Sequence, residues 1–363
     1  MVNIFPPLGL WGSDFSTLVP ARSSPYNRHK ISKQLRSSGE LPSPRGVCIL
    51  LPTCEGTVDP LVASAIFVFG LAFGSFLNVC VYRLPRELSV VTPRSACPKC
   101  KQPIAFYDNL PVLSWLILRG RCRHCHSRIS ARYLLIELLT AGLFLACYGC
   151  FGLTLSTLKY CVFAFLLLGL IFTDAETKLL PNKLTLPGLA LGVGFSLVVP
   201  VNDLASQFLP GVLNLPFSSD LTARLLSLLD SLLGAAVGAS FIYGAGAIYL
   251  RWRGTEGMGF GDVKLMAMVG AFLGVKLTVF TLFTASLAGS LFGLSTVMVV
   301  WLKRTQRFMR RLSTAQAARR RGWQSAQMVY RYYQMPFGVF LGSMALVAFF
   351  FGNQFLGWYR GLW

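Results

Sequence analysis

The feature that most limits what this chain can become is the recurrence of long apolar runs. A helix needs about 20 mostly apolar residues to cross a hydrocarbon core ~30 Å thick. Eight runs of roughly that length lie along the sequence: Leu61–Tyr82, Tyr133–Cys150, Thr154–Thr173, Leu184–Val201, Leu225–Leu250, Val263–Phe280, Leu282–Leu302 and Phe337–Trp358. The expected fold class is therefore an all-α polytopic membrane protein of about eight transmembrane helices. A mean hydropathy of +0.56, with only 13% charged residues, lies outside the ordinary soluble range and agrees with this.

The formal net charge of +20 is placed in loops rather than spread along the chain. After the first run come Arg83, Arg86, Arg94, Lys99, Lys101, Arg119, Arg121, Arg123, Arg128 and Arg132, and before the last run come Lys303, Arg304, Arg307, Arg310, Arg311, Arg319, Arg320, Arg321 and Arg331. Basic loops are retained on the cytoplasmic side. Six expected crossings separate these two loops, an even number, so both assignments agree. The same arithmetic puts Asp174 and Asp262 at the cytoplasmic face and the loops near Gly152 and Asp203 outside. Charge distributed in this way is a topology signal, and no nucleic-acid partner is expected.

The expected organisation has four parts. Residues 1–58, rich in Pro, Ser and Arg, show no helical or strand period and read as a disordered extension, with a misassigned translation start as the alternative. Residues 59–82 form the first transmembrane helix and 83–132 a small cytoplasmic hairpin domain. Residues 133–363 form the membrane core, which includes a basic cytoplasmic loop at 303–334. That loop interleaves arginines with Phe308, Trp323 and Tyr330, so it either lies on the membrane surface among anionic lipids or is solvated.

The hairpin domain carries Cys97-Pro-Lys-Cys100 and Cys122-Arg-His-Cys125, with 21 residues between the two pairs. Each turn aims two thiolates at one point, and four complete the tetrahedral shell of a closed zinc-ribbon-like site. Disulfides are disfavoured in a cytoplasmic loop, so Cys97, Cys100, Cys122 and Cys125 are expected to bind one structural Zn²⁺. His124 and His126 are spare ligands. Cys147 and Cys150 repeat the spacing in an apolar helix without a second pair and read as inert thiols.

The chemistry follows by elimination. The three histidines, His29, His124 and His126, all lie outside the apolar runs, which disfavours a Ser-His site, and there is no HExxH motif. Carboxylates expected at the inner membrane face are Glu137, Asp174, Glu176, Glu256 and Asp262. Asp174 closes one apolar run and Asp262 opens another within Gly257-Met-Gly259-Phe-Gly261-Asp262. Two carboxylates within reach of each other share one proton, so that one activates water while the other polarises a carbonyl. That is aspartyl protease chemistry. The glycines let a peptide backbone approach closely. The structural alternatives are a capping carboxylate for Asp262 and an interfacial helix end for Asp174. Lys178 and Lys264 either hold one of the pair ionised or extend to lipid head groups, and Glu137 is expected to pair with a nearby arginine, with a part in substrate binding or methyl transfer as the alternative.

With these motifs in view, the chain resembles the prepilin leader peptidase family, from about Leu61 to Trp358. The likeness runs in order through Gly74-Ser-Phe-Leu-Asn78-Val-Cys-Val-Tyr82-Arg83-Leu-Pro85, the two cysteine pairs and Ile129-Ser-Ala-Arg132-Tyr133-Leu-Leu-Ile-Glu137. It continues through Asp174 with Leu180-Pro181-Asn182, then Gly259-Phe-Gly261-Asp262 and Pro336-Phe337-Gly338. The resemblance implies that Asp174 and Asp262 are the catalytic pair and that the substrates are prepilins or type II secretion pseudopilins. It also implies a bacterial inner-membrane location and methylation of the new N-terminus with S-adenosylmethionine. No residue pattern in the chain points to that cofactor, so it rests on resemblance alone. The competing class is a non-enzymatic transporter or assembly scaffold that uses membrane-embedded aspartates and a structural zinc.

Overall fold

The computed structural model describes residues 59–363, except 93, 98, 202, 214–219, 255, 256, 258, 311–313, 333, 334, 362 and 363. The expected disordered extension at 1–58 and Glu256 lie outside the described residues.

The described chain is helical, with no strand and two isolated antiparallel bridges. Helix α1 spans Pro60–Arg83 and begins where Asp59 accepts the Leu61 N–H at 2.9 Å with proline at the first helical position, a start that satisfies one free amide and removes another. A lobe with short helix α2, Leu113–Ile117, follows. The rest of the chain gives α3 (Arg132–Phe151), α4 (Leu155–Thr177), α5 (Asn182–Ser196), α6 (Leu204–Leu213), α7 (Asp220–Arg253), α8 (Phe260–Met309), α9 (Ala315–Tyr332) and α10 (Phe337–Arg360).

Six of these, α1, α3, α4, α7, α8 and α10, are long and apolar enough to cross a membrane, with α8 counted once although it is broken at Gly274, so the eight expected spans are not confirmed. The Leu184–Val201 run yields only the 15-residue α5, which has Pro187 inside it. The runs Val263–Phe280 and Leu282–Leu302 belong to one helical stretch, and the expected boundary between them is helical, since Thr281 bonds back to the Leu277 carbonyl. The break falls instead at Gly274, with φ 79° and ψ −177°, a conformation open only to glycine.

Packing along α10 shows what this break does. Val339, at the start of α10, bonds to Asp174, which is within electrostatic range of Asp262. Further along α10, Gly352 faces Leu277 and Phe355 lies 5.3 Å from Phe280. Yet Gly289 faces Phe337, and Phe292 lies 5.4 Å from Phe340. The chain therefore runs away from the Asp262 level to Gly274 and returns. The reversal is pinned by Asp203, whose Oδ2 accepts the Lys276 N–H at 2.9 Å.

Glycines set how closely the helices meet. On α1, a Cβ at Gly70 or Gly74 would lie 2.6 Å from the Cα of Ala141 or Glu137, so these two positions bring α1 against the backbone of α3. Gly234 on α7 and Gly270 on α8 oppose each other in the same way. The main core lies beside them, with Phe163, Leu167, Leu170, Met266, Met268, Phe272 and Leu341 buried among α4, α8 and α10.

The Gly234–Gly270 contact can be tested by overpacking. Gly270→Ala puts a methyl into the Gly234 backbone and is expected to destabilise the protein by about 1–3 kcal/mol in detergent thermal unfolding. Gly244→Ala, in the same helix as Gly234 but with nothing within 4 Å of the new Cβ, is expected to be neutral or stabilising.

Candidate functional site

Asp174 lies in the last turn of α4, where its charge opposes the negative end of that helix. It is nevertheless buried, with 5% exposed. Its partner comes from α10: Oδ2 accepts the Val339 N–H at 2.9 Å, and the neighbouring Gly338 amide also faces the carboxylate. These are first-turn amides with no acceptor inside their own helix, and the positive end of α10 favours an anion there. Gly338 allows the approach, because a Cβ at that position would lie 2.9 Å from Asp174 Oδ2. Pro336 supplies the extended residue that starts the helix. Lys178, which ends α4 in a left-handed conformation with φ 55°, donates its N–H to the Asp174 carbonyl and stays within electrostatic range of the carboxylate.

Asp262 lies in the first turn of α8, three residues after Gly259, and is 8% exposed. Its carboxylate interacts with the Gly259 backbone of its own turn and with Asp174. Residues 88 positions apart in sequence are thus brought to one end of the bundle. Leu180 fills the space between the two glycine-containing turns: a Cβ at Gly261 would be 2.9 Å from Leu180 Cβ, and one at Gly338 would be 3.3 Å from Leu180 Cδ1. Lys264 does not reach either aspartate, but donates to Asn182 Oδ1 at 2.7 Å and lies over the Phe260 ring.

Two other carboxylates at this end have structural partners. Glu137 is not paired with an arginine, contrary to expectation, and accepts the Val112 N–H at 2.8 Å. The nearest basic candidate, Arg132, is taken by Glu176, an ion pair that ties the start of α3 to the end of α4. Sequence reasoning missed Val339, and it quoted Leu180-Pro181-Asn182 and Pro336-Phe337-Gly338 without a physical role for either. A Pro-Phe-Gly helix start is visible in sequence, but nothing in it says which acid its free amides meet.

In the lobe after α1, Cys97, Cys100, Cys122 and Cys125 converge, with all four Sγ atoms within 4.8 Å of one another. Cys97 and Cys125 are 3.7 Å apart, and Cys100 and Cys122 are 4.0 Å apart. A tetrahedral zinc with ~2.3 Å bonds requires S···S edges of about 3.8 Å, so the donor set fits. The two turns repeat one geometry. Cys97 N–H donates to the Gln102 carbonyl and Lys101 N–H to the Cys97 carbonyl, while Cys122 N–H donates to Ser127 and His126 N–H to Cys122. Lys101 and His126 each take a left-handed φ, 59° and 52°. Backbone donors at Cys100 and Lys99, with Ser127, hold the Cys97 thiol down to about 6, so a thiolate ligand is ready near neutrality. Ser127 Oγ lies 3.2 Å from Cys125 Sγ and 3.8 Å from Cys97 Sγ, a supporting contact absent from the sequence reading.

Comparison with known proteins agrees with this geometry. The family model for the bacterial peptidase A24 N-terminal domain matches residues 68–151, and that for the type IV leader peptidase family matches residues 161–294. A prepilin leader peptidase/N-methyltransferase of Aeromonas hydrophila is 32% identical over 337 residues, covering 86% of this chain and 98% of that protein. One from Myxococcus xanthus is 39% identical over 241 residues, covering 66% of this chain but only 64% of the relative. One from Bacillus subtilis is 35% identical, with 67% and 86% covered. No solved structure matches the chain. With six membrane-capable helices and near full-length similarity to the Aeromonas protein, this is an integral membrane protein that belongs to the prepilin leader peptidase/N-methyltransferase family.

Proposed function

We propose that the chain is a membrane aspartyl endopeptidase that removes the leader from type IV prepilins or type II secretion pseudopilins, with Asp174 and Asp262 as its catalytic pair. The observation that carries this reading is that two buried carboxylates from separate helices lie within electrostatic range of each other at one end of the bundle. Two such groups share a proton, since both cannot easily ionise at close range. Asp174, on the free amides of α10, is the better seat for the charge, and Asp262 for the proton. The charged member takes a proton from water as the water attacks the scissile carbonyl, and the protonated member supports the developing oxyanion. The extended Gly259 that leads into α8, with no side chain of its own, gives a substrate peptide a backbone to lie against. The transporter alternative is set aside by family membership.

The same end of the bundle carries Arg132, Lys178, Arg251, Arg253 and Lys264, which supports its placement at the cytoplasmic face of the bacterial inner membrane. The N-methyltransferase half of the relatives' name calls for a methyl donor, and S-adenosylmethionine is the cofactor of this reading. Methylation is assigned to the chain as a whole and to no particular residue.

Zinc is the metal proposed for Cys97, Cys100, Cys122 and Cys125. It would act as a crosslink between the two turns of a lobe that has little apolar core of its own.

Asp174→Asn and Asp262→Asn are each expected to lower cleavage of a prepilin by the reconstituted protein about 10³-fold or more, while membrane insertion persists. The double variant is expected to cost little beyond either single one, as for groups that act as a unit. Glu176→Gln, which keeps an acceptor for Arg132, is expected to retain most activity. Normal cleavage by either Asn variant, or equal damage from Glu176→Gln, overturns the pair.

Metal analysis of purified protein is expected to find one zinc per chain. Ser127→Ala is expected to weaken zinc retention against a chelator by about 10–100-fold, the usual cost of losing a supporting contact. Stoichiometric absence of zinc, with all four thiols freely alkylated in the folded protein, rejects the metal assignment.

A further inference from the structure

Within the cysteine lobe, the segment around α2 shows a surface that a water-exposed lobe has no reason to carry. Leu110, Leu113, Leu116 and Ile117 lie within eight residues of one another and are 52%, 57%, 54% and 74% exposed. No described residue covers them, and one hydrogen bond ties their segment to a membrane-crossing helix.

That bond runs from the Val112 N–H to Glu137 Oε2. Glu137 lies five residues into α3, its Cα ~7–8 Å along the axis from Arg132, and because helical side chains tilt toward the N-terminus, its carboxylate holds Val112 beside the first turns of that helix. Leu135, Leu138 and Leu139, which flank Glu137 on the same membrane-crossing helix, are exposed apolar residues and therefore face lipid. The patch on α2 is thus held beside the first turns of a membrane-crossing helix whose neighbouring residues face lipid. Val112 takes a left-handed φ of 59°, unfavourable for a β-branched residue, in the position where Glu137 grips its amide.

A backbone beside lipid must satisfy its own polar groups, and several amides of this one do so within the segment. Ser114 N–H donates to the Leu110 carbonyl, Leu116 N–H to Val112, Leu118 N–H to Ser114, Arg119 N–H to Leu116 and Gly120 N–H to Trp115. The Ser114 hydroxyl donates to the Tyr107 carbonyl. Arg119 and Arg121 follow at once and are exposed, placed so that their charged heads can reach lipid phosphates while the apolar residues stay below.

We propose that Leu110–Leu118 is an interfacial membrane anchor that inserts Leu110, Leu113, Leu116 and Ile117 into the leaflet on the Asp174–Asp262 side. The occupant of the patch is lipid acyl chain. The anchor clamps the cysteine lobe between the bilayer and α3, and the Arg132–Glu176 ion pair carries that placement to the end of α4 next to Asp174. The proposal holds whether or not the carboxylate pair is catalytic.

The test uses the full chain reconstituted in phospholipid vesicles, labelled in parallel with a bilayer-partitioned aryl diazirine and with hydroxyl radicals in the water phase. Sites of both are mapped by mass spectrometry. The anchor requires carbene insertion at Leu113, Leu116 and Ile117 at a level similar to Leu135 and Leu138. It also requires several-fold less hydroxyl-radical oxidation there than at Val91, an exposed residue of the same lobe. Oxidation equal to Val91 without carbene insertion means a solvent-facing patch and overturns the proposal. Protection from both reagents means that a second copy or another protein covers the patch, which overturns it equally. In the Leu116→Gln/Ile117→Gln variant, carbene labelling of Leu113 is expected to fall several-fold, and unchanged labelling would show that these side chains do not drive insertion.

Discussion

The interaction on which this structure depends is the bond between a buried carboxylate and the free amides that begin another helix. A carboxylate removed from water is costly unless donors replace the lost hydration, and the first amides of a helix lack partners of their own. Four of the five buried acids combine these two needs. Glu137 takes the amide at the start of α2, Asp174 that of Val339 in α10, and Asp203 that of Lys276 just after the Gly274 reversal. Asp230 takes the amides of Asp203, Ala205 and Ser206 at the start of α6. Asp174 and Asp203 join elements far apart in sequence, while Glu137 and Asp230 join neighbouring ones, so these acids fix how the helices stand relative to one another. Asp262 is the exception. Its backbone contact is with Gly259 of its own turn, and its carboxyl stays within electrostatic range of Asp174.

Close approach makes that arrangement possible. Gly338 leaves room for the Asp174 carboxylate, Gly261 leaves room for Leu180, and the Gly234–Gly270 contact lets α7 lie directly on α8. Side chains at these points would push apart elements that the acid-to-amide bonds must hold within ~3 Å. The glycines and the buried acids are therefore one design: the first allow the distance and the second use it.

The sequence makes some of this visible and hides the rest for definable reasons. Apolar length reveals that helices cross a membrane, but it carries no mark of the reversal at Gly274, because a single glycine within a run looks the same whether the helix continues or turns back. Hence the boundary expected near Thr281 falls at Gly274. The cysteine cluster is legible because paired CxxC spacing dictates convergence on one point. Asp174 and Asp262 stand out because acids are scarce beside apolar runs. Val339 does not, since its contribution is a backbone amide that any residue type would offer. Glu137 shows the limit of charge reasoning, which expects a basic partner where the structure uses a main-chain donor.

In this account, α10 holds Asp174 in place, α8 presents Asp262 on a glycine turn, and the pair carries one proton between them. The most direct test of that claim is the pH dependence of kcat/KM for leader cleavage by the reconstituted protein. A pair that must hold one proton gives a bell-shaped profile with two macroscopic ionisations, lost on both limbs as the pair becomes doubly protonated or doubly charged. A profile with a single limb, or one flat across the range in which the protein stays folded, would contradict a proton-sharing pair.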